Sequence, residues 1–133
     1  MVKLFKNVAF ICLLFLIFSG CESTKDDSHY KPSEFKHNVA INNTYAAIEA
    51  VELDLMRLTG NTPIDVVVNT YKDGITKMNE HLKNLEDKRK LLTEDKDLTR
   101  SEIKNWNDEY ESSIKSVKNM IKKIEQKQEE LMK

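Results

Sequence analysis

Between Ile75 and Lys133 the chain contains neither glycine nor proline. These two residues most readily end helices and make turns, so so long a stretch without either leaves little choice but long helix. The apolar residues agree. Ile64, Val68, Tyr71, Ile75, Met78, Leu82, Leu85 and Leu92 follow steps of four and three, with Arg89 in the one slot where a further apolar residue is due. Such spacing puts a stripe on one helix face that repeats every seven residues. Ile103, Trp106, Tyr110, Val117, Met120, Ile124 and Leu131 form a second stripe, interrupted at Ser113 and widened by Ile114 and Ile121. A less regular third consists of Ile41, Tyr45, Ile48, Leu55 and Leu58, with Ala46, Ala47 and Ala50 around it.

Terminus signals divide these stripes into three helices. The first is expected from about Ser33 to Thr59, stopped by Gly60-Asn61. The second opens with Thr62 as cap, Pro63 in the first helical position and Asp65 in the first turn, placing an acceptor, a missing donor and a negative charge where free amides point outward. Val66-Val67-Val68 has strand character and Asp73-Gly74 reads as a turn. The stripe nevertheless keeps its register across Gly74, so we expect an unbroken helix that tolerates a penalty of about 1 kcal/mol there. In the third helix Thr99 and Glu102 form a capping box, flanked by Leu98 and Ile103 as an apolar staple. The linker Glu94-Asp95-Lys96-Asp97 is short, which folds the second and third helices back on each other. The expected fold is all-α, an elongated antiparallel three-helix bundle; a two-helix coiled-coil hairpin with a loosely attached first helix is the alternative.

The N-terminal residues follow a different pattern. Lys3 and Lys6 precede an unbroken apolar run from Val8 to Phe18, closed by Ser19 and Gly20 ahead of Cys21. This is the order of a secretory signal peptide. Its 11 apolar residues fall short of the roughly 20 needed to span a bilayer. Phe18-Ser19-Gly20-Cys21 resembles the lipobox of bacterial lipoproteins, with Phe18 where that family prefers Leu. The resemblance implies a diacylglycerol thioether on Cys21, palmitate incorporation, and cleavage that makes Cys21 the mature N-terminus. It implies a location too, anchored by lipid on the extracytoplasmic side of the cell membrane, where two acyl chains hold durably. The expected organisation is a signal peptide over 1–20, a lipidated N-terminus and flexible tether over 21–34, and a helical body over 35–133. Tyr30 and Phe35, the aromatic residues in or beside the polar tether, are expected to dock on that body in preference to lipid headgroups. Cys12 lies in the discarded segment, so the mature chain has one cysteine and no internal disulfide.

Little in the body points to reaction chemistry. His29, His37 and His81 lack ligand spacing and are expected to be solvated, so no metal site and no cofactor is predicted. No phosphate loop, nucleophile elbow or Ser/His/Asp set is recognisable, and no catalytic residue or enzyme activity is expected. Without Lys3 and Lys6, the 21 basic residues become 19 against 22 acidic ones, a net charge of −3 that does not favour nucleic acid. Lys115, Lys118, Lys122, Lys123 and Lys127 crowd the end of the third helix. They form a possible contact for anionic lipid or wall polymer, set against a plain solvated face neutralised by Glu111, Glu125, Glu129 and Glu130. Trp106 and Tyr110 are expected in the core rather than at a binding surface.

The functional expectation is therefore an envelope-bound helical module that contacts membrane lipid through Cys21 and a protein or cell-wall polymer through a helix face. Two alternatives stand beside it. One is a self-associating structural coiled coil in which Arg89 and Ser113 set the register; the other is a small surface exclusion or immunity lipoprotein.

Overall fold

The computed structural model describes residues 31–133. The expected signal peptide, Cys21, His29, Tyr30 and the tether up to residue 30 lie outside the described residues. The body is an all-α three-helix bundle: α1 (Pro32–Met56), α2 (Ile64–Lys90), a 3-10 turn (Leu91–Glu94) and α3 (Arg100–Leu131). Side-chain pairs define the directions. Lys31 at the start of α1 reaches Glu102 at the start of α3, and Glu52 near the end of α1 meets Lys123 near the end of α3. Arg89 at the end of α2 bonds Asn107 near the start of α3. The chain thus runs up, down and up, with α2 antiparallel to both neighbours.

The second and third stripes build the core. Tyr71, Met78, Leu85 and Leu92 are buried at seven-residue intervals, as are Tyr110, Val117 and Ile124 opposite them. Met78, Leu85, Val117 and Ile124 are excluded from solvent, each contributing about 1.5–3 kcal/mol through transfer from water. Arg89, in its interrupted slot, sends Nε to Asn107 Oδ1 at 2.8 Å and Nη2 to Glu111 Oε2 at 3.5 Å. Ser113 is also buried and donates to the Glu109 carbonyl at 2.9 Å. Both interruptions are thus used within one chain.

α2 runs unbroken through Gly74, and the structure supplies a reason for glycine there. A Cβ at this position would lie 3.2 Å from both Val51 Cγ1 of α1 and Ile124 Cδ1 of α3. Gly74 lets three helices approach at one level, and the loss in helix propensity is offset by that packing.

Three boundaries differ from expectation. α1 begins at Pro32, within one residue of the expected Ser33, so Ser33 and Glu34, at the end of the expected 21–34 tether, belong to the helix. It ends at Met56 with Arg57 as a right-handed cap, and no described residue has positive φ, so Gly60-Asn61 does not form the left-handed stop. Pro63, not Thr62, caps α2: its carbonyl accepts from Val67 N–H at 3.1 Å. Thr62 Oγ1 instead accepts from Thr59 N–H at 2.9 Å and tightens the connection. The α3 start is as expected, with Thr99 N–H donating to Glu102 Oε2 at 2.6 Å and Glu102 N–H donating to Thr99 Oγ1 at 3.3 Å. Burial of Leu98 completes the staple with half-buried Ile103.

α1 also packs with a different face. Ile41 is buried and Ile48, Leu55 and Leu58 are partly buried, but Tyr45 is exposed. The other half of the seam is His37, Thr44 and Val51, again seven apart, with Ser33 and Ala40 beside them. Phe35 therefore cannot dock on the body and is 61% exposed. At about 100° per residue, inward placement of Ser33 and His37 turns the residue midway between them outward.

Candidate functional site

A polar cluster lies where the first turns of α1 meet the hairpin of α2 and α3. His37, expected in solvent, is buried instead, because the heptad phase shared with Thr44 and Val51 turns it inward. Its Nδ1 is 2.8 Å from the Tyr110 hydroxyl, and its Nε2 is 3.6 Å from Asp95 Oδ2 in the connection before α3. The Tyr110 ring stands edge-on at 5.6 Å and the Trp106 ring is tilted at 5.5 Å. Tyr110 thus lies in the core as expected, Trp106 packs half-buried against it, and His37 of α1 meets both rings. Burial lowers the His37 pKa from its ordinary value, partly opposed by Asp95, while Lys36 and Lys88 reinforce the lowering. Burial also pushes the Tyr110 phenol up to about 12. Ser33 Oγ, one turn before His37, is buried without a hydrogen-bond partner. One turn beyond Ala40, Thr44 Oγ1 donates to the Ala40 carbonyl at 2.9 Å and lies 3.3 Å from His81 Nδ1.

Lys31 closes this end of the bundle. Its Nζ lies 2.9 Å and 3.0 Å from the two Glu102 oxygens and donates to the Asp97 carbonyl at 3.2 Å. Glu102 accepts from the Thr99 backbone as well, and that bond first, then Lys31, lowers its pKa to about 2. The cap of α3 and the entry to α1 therefore share one carboxylate.

Lys115, Lys118, Lys122, Lys123 and Lys127 of α3 are all exposed, and two of them meet carboxylates of the neighbouring helices. Lys118 Nζ pairs with Glu86 of α2 at 3.6 Å and Lys123 Nζ with Glu52 of α1 at 3.2 Å. Those two reach toward different neighbouring helices, α2 and α1. Among the described residues no group of three or more His, Cys, Asp or Glu side chains is placed to hold a metal ion. No described helix is long and apolar enough to cross a membrane.

Apolar surface is concentrated on α1 and at the opposite end of the bundle. Phe35, Val39, Leu53 and Met56 all face outward along α1, with Leu53 at 53% and Met56 at 78% exposure. From Asn38 to Ile48 the helix has no charged side chain. Ile64, Val68 and Leu131, expected in the stripes, instead line an open cleft of about 300 Å³ with Tyr71 and Met132. They lie where α2 begins and α3 ends, beyond the end of α1 at Met56. Compared with protein-family models, curated proteins and solved structures, the chain matches none.

Proposed function

We propose that this chain is a lipid-anchored cell-envelope protein, held through Cys21, whose helical body binds another envelope protein through the outward face of α1. The anchoring part rests on the order Lys3, Lys6, apolar Val8 to Phe18, Ser19-Gly20 and Cys21. The observation that carries the binding part is that α1 is apolar on two faces. One is occupied by the hairpin, and the other presents Phe35, Val39, Leu53 and Met56 to solvent. Exposed apolar side chains gathered on one helix face mark a surface for interaction. The lack of charge between Asn38 and Ile48 favours a protein surface over an anionic wall polymer.

Two experiments test the parts separately. Palmitate labelling is expected for the full chain and expected to vanish in Cys21→Ser; an unlabelled full chain removes the anchor and leaves the face untouched. A photo-crosslinking residue at Leu53 in intact cells is expected to give a discrete protein adduct that the same residue at Asn119, on the exposed side of α3, does not. Equal adducts at both positions, or recovery of lipid alone, would defeat the binding reading.

A further inference from the structure

We propose that His37 is an acid-operated latch: protonation of its imidazole releases the first turns of α1, Ser33 to Thr44, from a hairpin of α2 and α3 that stays folded. The latch itself does not depend on the proposed function. Only its consequence for Phe35 and Val39, which ride on the released turns, does.

His37 Nε2 is buried without a hydrogen-bond partner, 3.6 Å from Asp95 Oδ2, and because a carboxylate only accepts, we assign the proton of the neutral ring to this nitrogen. Nδ1 is then bare and accepts the Tyr110 hydroxyl at 2.8 Å. A second proton must go on Nδ1, where it points at the same hydroxyl. Tyr110 would have to turn its own hydrogen away, yet the residue is fully buried and His37 is the one hydrogen-bond partner of its hydroxyl among the described residues. Protonation thus converts a made bond into an unplaced buried donor.

The charges facing the ring come from every element around it: Lys36 on α1, Lys88 on α2, Asp95 in the connection and the neutral phenol of Tyr110 on α3. Asp95 favours a charged ring, whereas both lysines and burial oppose it, and burial is the largest cause. Once released into water, His37 regains its ordinary value near 6.5. The released state therefore binds a proton that the seated state refuses, and release becomes easier as pH falls below about 6.5.

Local release is the consequence of what holds these turns. Ser33, His37, Ala40 and Thr44 contribute little apolar area, with Ile41 the one large aliphatic residue among the buried side chains there. Leu85, Leu92, Tyr110, Ile114 and Val117 continue to pack α2 against α3. Loss of the seat removes the smaller interface first.

Trp106 is the sole tryptophan and lies against His37, so its fluorescence reports the site directly. The test uses the full chain in mild detergent, with amide hydrogen exchange from pH 7.5 to 5.0, corrected for intrinsic rate, alongside Trp106 emission. Protection over residues 33–44 is expected to fall as pH drops below about 6.5, with a limiting slope of about tenfold per pH unit for uptake of one proton. The emission should shift red with the same midpoint, while the amides of α2 and α3 stay protected. His37→Gln should abolish the pH dependence and His81→Gln should retain it. Quenching without a red shift and with unchanged protection would mean that His37 charges in place against Asp95, which overturns the latch. So would simultaneous loss of protection in all three helices, or pH dependence that survives His37→Gln. Should His37→Gln fail to fold, the segment-resolved exchange of the unsubstituted chain decides alone.

Discussion

The seam between α2 and α3 and the seat of α1 upon it use the same seven-residue repeat but different chemistry. Along the first, Tyr71, Met78, Leu85 and Leu92 meet Tyr110, Val117 and Ile124, so nearly every inward position is a large apolar side chain. Along the second, His37, Thr44 and Val51 face inward, and Ser33 and Ala40 fill the space between. A seam of large aliphatics gains its stability from area removed from water. A seam of small and polar residues brings backbones close and depends on hydrogen bonds being made. The first resists local change, while the second can be undone at one group.

The largest effect that would sharpen this contrast is expected from Leu85→Ala. Leu85 is fully buried, so truncation should lower unfolding free energy by about 2–5 kcal/mol and melt all three helices together in a calorimetric scan. Preferential loss of α1 in that variant would reverse the ranking of the two interfaces. Gly74→Leu comes next. Its side chain would enter a space where even a Cβ lies 3.2 Å from Val51 and Ile124. About 1–3 kcal/mol should be lost by overpacking, with the second half of α1 losing exchange protection first. Undiminished stability of Gly74→Leu would mean that the helices can part there without penalty. Thr99→Ala, which removes the side-chain acceptor at the start of α3, should cost about 1 kcal/mol in urea denaturation. The smallest effects belong to Lys118→Ala and Lys123→Ala. Their ion pairs are half exposed on both sides, and each should change stability by less than about 1 kcal/mol, diminishing further with added salt.

A depressed histidine also gives the sign of a pH effect. Because His37 is neutral when seated and binds a proton more readily when unfolded, the body keeps its full His37 contribution above about pH 6.5 and loses it as pH falls toward the lower folded value. A stability profile flat across that range in denaturant titrations would show that Asp95 compensates fully.

The two regions also differed in how well they could be read from residues. The α2 and α3 stripes were legible because large apolar side chains at steps of four and three have one physical use, and the Thr99-Glu102 box marks its helix start by short-range bonds alone. The ends of those stripes misled: Ile64, Val68 and Leu131 have the right spacing, but no third helix extends over them. For α1 the apolar pattern points to Tyr45, which is exposed, whereas polar His37 and Thr44 are the buried residues. The signal that could have found them was the shared interval of seven from His37 through Thr44 to Val51.

Local chemistry alone therefore specified three helices, the hairpin of the last two and the cap that begins α3. Those features depend on interactions within a few residues or on apolar area, both of which a single strand of residues displays. The face α1 turns inward, the burial of His37 against Tyr110 and the need for glycine at position 74 were settled by packing. Each depends on the distance between side chains remote in sequence, and that distance exists only once three helices have met.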